Sequence, residues 1–134
     1  MPVVDTEFLF ALNPKDRKHQ YAMKMLGTAN NLMMPDSAAI EYQAVLRSRG
    51  RSPTQTKLAL LALHEALTRS KVEEVKTIST SLLAYQAELE DRYGLSFFDS
   101  LIAASALALD REVVSDDEAF DRVPDLKRKP LSSC

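Results

Sequence analysis

Val3-Val4-Asp5-Thr6-Glu7-Phe8-Leu9-Phe10-Ala11-Leu12 is the stretch on which the fold turns. Two β-branched apolar residues stop at an acid, and Phe8, Leu9 and Leu12 then recur at the spacing of one helix face. This reads as a short buried strand that ends in a carboxylate and hands over to a helix. The pattern returns outward along the chain. Leu32-Met33-Met34 precedes Pro35-Asp36-Ser37, and Val113-Val114-Ser115 precedes Asp116-Asp117 and a short helical turn around Phe120. A further strand is expected over residues 71–79, where Val72, Val75, Thr77 and Ile78 outweigh Glu73-Glu74.

Helices fill the intervals. Residues 15–25 carry Tyr21, Ala22 and Met25 on one face before Gly27 closes the segment. Asp36 or Ser37 can accept from the free N–H groups of a helix running to about Arg47. Ser52-Pro53 opens the next, to about Thr68, with proline where its missing N–H costs nothing. Residues 80–93 form another, stopped by Gly94. Ser96-Phe97-Phe98-Asp99 is a capping-box pattern opening a helix to about Leu109, so apolar all round that it belongs inside the fold. Short apolar strands alternating with longer helices imply an α/β protein with a parallel sheet covered by helices.

Composition narrows the classes. At 134 residues the chain has the length of about one domain, which excludes a two-domain cleft, and a flexible basic tail is expected from about Lys127. The net charge of −2 gives no overall field toward nucleic acid or anionic membrane, so such contacts must be local. The single cysteine, Cys134, allows neither an internal disulfide nor a cysteine-based zinc site and is expected as a free tail residue in a reducing, cytoplasmic setting. Met1-Pro2-Val3 does not read as a signal peptide, and apolar runs such as residues 58–63 and 101–109 fall short of the ~20 residues that span a bilayer.

In an open parallel sheet, active groups collect beyond the carboxyl ends of the strands. Asp5 and Asp117 fall there, and Glu41 and Asp99 occupy early turns of the helices that follow Pro35 and Gly94. Two carboxylates ~4 Å apart repel by about 4 kcal/mol at an effective dielectric near 20, so their convergence calls for a cation. Hard ions such as Mg²⁺ or Mn²⁺ take carboxylate and water oxygens, whereas zinc prefers ligands this chain almost lacks; His19 and His64 have no HxxxH partner. Such ions activate water against a phosphodiester without a side-chain nucleophile. Each acid also has a local explanation: Asp5 as a helix cap, Asp99 as half of a capping box, Glu41 as an exposed helix residue, and Asp116-Asp117-Glu118 as a solvated turn.

The opening Val3-Val4-Asp5-Thr6 resembles that of PIN-domain nucleases. Pro35-Asp36-Ser37-Ala38-Ala39-Ile40-Glu41 is similar to the stretch bearing the family's second acid, and Phe98-Asp99-Ser100-Leu101-Ile102-Ala103-Ala104 to that bearing its third. Val113-Val114-Ser115-Asp116-Asp117-Glu118-Ala119-Phe120 is similar to the family's hydroxyl, any, Asp, any, any, Phe ending, which makes Asp117 the fourth acid. The resemblance covers nearly the whole chain, which is similar to the VapC-type toxins among the small single-domain members. It implies a three-layer α/β/α sandwich around a parallel sheet of four or five strands. It also implies Mg²⁺ or Mn²⁺ held by Asp5, Glu41, Asp99 and Asp117, ribonuclease activity on single-stranded RNA, an antitoxin partner and a homodimer. Glu7 departs from the family, which more often has a small polar residue there.

Ser115 and Thr6 are candidates to orient an acid or bound water from behind. Residues 43–57 carry Arg47, Arg49, Arg51 and Lys57 with no acid, a candidate RNA-binding wall or simply a solvated helix end. Two rivals stand beside the nuclease reading. One is a catalytically degenerate PIN-like module that binds RNA or protein without cutting, as a misplaced metal at Glu7 would produce. The other is a phosphatase or receiver domain, whose expected Asp-x-Asp or Lys context is missing.

Overall fold

The structure, a computed structural model, describes residues 1–28 and 31–132; Cys134, expected as a tail residue, lies outside the described residues. The chain opens with β1 (Val3–Val4), both residues fully buried, and α1 (Thr6–Ala11) follows at once, as its sequence implies. Next comes α2 (His19–Thr28), which starts later than expected and contains Gly27 rather than ending before it. The preceding residues are held in turns, where Asn13 Oδ1 accepts from Lys15 N–H at 3.0 Å and Asp16 Oδ1 from Lys18 N–H at 2.9 Å. Such local side-chain acceptors compete with helix formation.

β2 (Met33–Pro35) leads into α3 (Asp36–Ser48), then α4 (Pro53–Arg69), β3 (Glu73–Val75), α5 (Thr80–Tyr93), α6 (Phe97–Leu107) and β4 (Glu112–Val114). A 3₁₀ turn at Glu118–Arg122 precedes β5 (Lys127–Lys129). The expected capping of α4 by Ser52 is present as a full capping box with Gln55. The capping expected of Asp36 or Ser37 is not: Pro35 is the N-cap of α3 and makes no side-chain cap bond. The Asp36 carboxylate instead accepts from Thr77 N–H (3.0 Å), Thr77 Oγ1–H (2.7 Å) and Ile78 N–H (3.1 Å), besides Ser37 N–H. That capture shortens β3, because residues 77 and 78 spend their N–H groups on a carboxylate rather than on a ladder.

The five strands form one parallel sheet in the order β3-β2-β1-β4-β5, flanked by helices as a three-layer α/β/α sandwich. Val3 sits opposite Met33 on one side and Val113 on the other, so the central strands are covered on both edges and both faces. Burying each such valine or leucine stabilises the fold by about 1.5–3 kcal/mol. The tail expected from Lys127 is instead the edge strand β5, paired through Lys127, Arg128 and Lys129 to β4. An edge strand needs no apolar periodicity, and its basic side chains guard the open edge.

From β1 the chain steps outward through β2 to β3, then returns to lay β4 on the opposite side of β1. The reversal makes the β1/β4 junction the switch point of the sheet, where the connections leaving the two strands part and a crevice opens. α6 packs against α5 and α3 and is buried from Ser100 to Ala106, as its apolar composition implies. Its deep polar contacts are Ser100 Oγ, which accepts from Gln86 Nε2 at 2.8 Å, and a hydroxyl chain in which Ser105 Oγ meets Ser37 Oγ and Thr77 Oγ1, each at 2.8 Å.

Candidate active site at the sheet switch point

Asp5 leaves β1 at the switch point and caps α1, its Oδ1 accepting from Phe8 N–H at 3.2 Å. The carboxyl is only 7% exposed. Burial pushes it up to about 7, against the Ser115 side chain and the Phe8 N–H, which favour the charged form; Glu7 and Glu41 add to the rise. The local cap explanation of Asp5 is therefore true and incomplete, since a capping residue at a helix start is ordinarily solvated.

Ser115 leaves β4 beside Asp5 and is fully buried. Its Oγ accepts from Asp117 N–H at 2.9 Å, so one hydroxyl joins the first and fourth acids. Asp117 caps the 3₁₀ turn, accepting from Ala119 N–H at 2.9 Å, and its backbone is extended. Asp99 enters from the first turn of α6, where Ser96 Oγ accepts its N–H at 3.2 Å. Burial pushes Asp99 up to about 6, reinforced by the charge of Asp117, by a hydrogen bond between the two carboxyls and by the charge of Glu41; Ser96 works the other way. Glu41 projects from α3 and accepts from Thr6 Oγ1–H. The placement thus brings Asp99 against Asp117, sets Glu41 where its charge reaches both Asp99 and Asp5, and seats Ser115 and Thr6 as supports.

None of Asp5, Glu41, Asp99 and Asp117 has a cationic partner among the described residues. All available donors are carboxylate or hydroxyl oxygens, the chemistry of a hard divalent ion. Donor type and unbalanced charge fit such an ion. Among the described residues no three Asp, Glu, His or Cys side chains stand close enough to share it as placed, so a shared site requires rotation within the cluster.

The basic residues of the expected wall fall into separate places. Arg47 and Lys57 line one cavity between α3 and α4 with Thr56 and Leu61, while the Arg49 guanidinium lies over the Phe10 ring, 4.9 Å from its centroid. Arg51 is exposed in the α3–α4 turn, and none of the three contacts the four acids. Glu7 accepts from Lys18 Nζ and from the Asp116 N–H, and its charge still reaches Asp5. Lys18 was not expected near the site, and Asp116 was expected only as the neighbour of the fourth acid. The signal available in the sequence was only Glu7 itself, an additional acid that needs a counter-charge. Asp116 is held down to about 2: burial pushes it up, but the Lys18 ammonium and Ser132 outweigh that.

Several solved structures share this shape. A chain of the VapBC2 complex of Rickettsia felis, crystallised on a promoter DNA fragment, is 22% identical with a TM-score of 0.67, over 96% of each chain. A toxin-antitoxin complex from Klebsiella pneumoniae is 18% identical with a TM-score of 0.64, over 94% of this chain and 95% of that one. VapC20 of Mycobacterium tuberculosis, a sarcin-ricin-loop-cleaving toxin, is 19% identical with a TM-score of 0.71, over 92% of this chain and 95% of its own. A search of curated proteins finds no match. A sequence profile described as PIN domain matches residues 3–126, and with the fold and acids in place the chain belongs to the PIN domain family.

Proposed function

We propose that the chain is a metal-dependent endoribonuclease that hydrolyses phosphodiester bonds of single-stranded RNA, and the toxin of a toxin-antitoxin module. The observation that carries this reading is the meeting of Asp99 with Asp117, under the charge of Glu41, at the β1/β4 switch point of a PIN chain. Asp99 and Asp117 would hold Mg²⁺ or Mn²⁺, with Asp5 and Glu41 closing the set. The bound ion supplies Lewis acidity that lowers the pKa of a water and offsets charge on the phosphate. Ser115 fixes the Asp117 backbone and steadies Asp5, and Thr6 holds Glu41 by its hydroxyl, so these three acids are tethered at the crevice and close on the ion as it binds. Displacement of water from the crevice by the RNA strand strengthens each of these charges.

An antitoxin partner and a homodimer belong to the same reading. A groove of about 350 Å³ lined by Leu9, Leu12, Tyr42, Ala59, Leu63 and Ala66 supports the first, since an amphipathic helix of a partner seats on such a surface. No helix among the described residues is long and apolar enough to cross a membrane.

The test is cleavage of labelled single-stranded RNA by wild type and Asp99→Asn, each with Mg²⁺, Mn²⁺ or chelator. Wild type should cut only with metal. Asp99→Asn should lose more than the about 10- to 100-fold typical of an outer partner. Equal cutting by both proteins, or cutting in chelator, overturns the assignment. A folded wild type that takes up no Mn²⁺ favours the degenerate binding module.

A further inference from the structure

Lys18 lies in the turn before α2, yet its side chain is only 17% exposed. Its Nζ donates to Glu7 Oε2 at 2.8 Å, from α1, and to Asp116 Oδ2 at 2.7 Å, from the loop after β4. Glu7 Oε1 in turn accepts the Asp116 backbone N–H at 3.3 Å, and Asp116 Oδ1 accepts Ser132 N–H at 2.9 Å. Segments as far apart in sequence as residues 7, 18, 116 and 132 are thereby tied at one point, which immediately precedes Asp117. Asp116 sits in the bend between β4 and the 3₁₀ turn, so its capture by Lys18, together with the Ser115 Oγ that accepts from Asp117 N–H, fixes the backbone from which Asp117 meets Asp99.

We propose that Lys18 and Glu7 are positioning residues that set the direction of Asp117, and that Glu7 is not a fifth metal ligand. Exposed ion pairs stabilise folds by about 0–1 kcal/mol, and Glu7 is 36% exposed, so a triad this close to the acids serves orientation more than stability. The metal arm of this inference rests on the nuclease reading; the tether itself does not.

The experiment compares wild type, Lys18→Gln and Lys18→Arg. Mn²⁺ affinity is measured by calorimetry, and amide hydrogen exchange at residues 116–119 is followed in metal-free protein. The two roles open to Lys18 predict opposite signs. If it were only a nearby positive charge, its removal would tighten Mn²⁺ binding. As the positioning residue, its loss should weaken Mn²⁺ binding by about tenfold or more and speed exchange at residues 116–119, with both effects recovered by Lys18→Arg. Tighter or unchanged Mn²⁺ binding in Lys18→Gln overturns the positioning role. Unchanged exchange overturns the tether. A wild type that binds no Mn²⁺ overturns the nuclease reading instead, and the exchange data then decide the tether alone. Should Lys18→Gln fail to fold, Glu7→Gln removes one of the two ion pairs while leaving Lys18 with Asp116; loss of a negative charge weakens Mn²⁺ binding on any reading, so exchange decides, faster exchange at residues 116–119 supporting the tether and unchanged exchange overturning it.

Discussion

Asp5 concentrates the electrostatic problem of this protein in one residue. Its carboxyl is raised from 3.8 to about 7, so between those values the folded chain keeps a proton that the unfolded chain has released. Stability then falls as pH rises through that window, by about 4 kcal/mol at most for a shift of this size. Asp99, raised to about 6, acts in the same direction over a shorter range, while Asp116, lowered to about 2, acts only below the ordinary carboxylate range. The expected outcome is a melting temperature that drops from pH 5 to pH 8 in chelator, with Asp5→Asn flattening most of the drop. Added Mn²⁺ should restore more stability at pH 8 than at pH 5, because protons compete for the same oxygens. Melting curves that are flat or rise with pH would contradict the burial of Asp5.

At the scale of elements, α6 has two tasks that meet at its first turn. Its apolar faces fill the centre of the fold, and Asp99 must leave that turn toward Asp117. Ser96 serves both by capping Asp99 N–H, and Gly94 prepares it by ending α5 at φ 65, a left-handed conformation suited to glycine. Ser96→Ala should therefore cost about 1 kcal/mol in urea unfolding, with Ser96→Asp recovering most of it. An unchanged midpoint in Ser96→Ala would mean that the α6 start is held by packing alone. The contrast with α3 is instructive. Asp36 stands where a cap belongs, but its carboxylate reaches across to Thr77 and Ile78, a choice made by distant backbone groups.

For the molecule as a whole, the strand order places β5 beside β4 and brings the end of the described chain back over the core. Leu131 is 2% exposed and joins the cluster that includes Phe120, Val123 and Leu126. Leu131→Ala should lower the unfolding free energy by about 2–5 kcal/mol, measured by denaturant titration, whereas a residue in a loose tail would give no change. The same strand order puts the ends of β1 and β4 side by side, which is why residues 5 and 115 to 117 share one crevice. Of the basic residues expected as one wall, Arg47 and Lys57 share the cavity between α3 and α4, while Arg49, the residue after α3, stacks on Phe10.

What the sequence determined by itself was whatever near neighbours encode. Val3-Val4 and Val113-Val114 are strands because they are β-branched and apolar, Ser52-Pro53 and Ser96 open helices by capping, and the four acids stand in the order the PIN resemblance requires, three of them at or near element ends and Glu41 within α3. The tertiary structure decided everything that rests on partners remote in sequence. β5 is basic and half-exposed and becomes a strand only because β4 offers it a free edge. Asp36 abandons a cap for residues 41 and 42 positions away, and Lys18 finds Asp116 across 98. Such polar contacts leave no periodicity to read, since one carboxylate and one amine satisfy each other wherever packing of the apolar elements happens to bring them together.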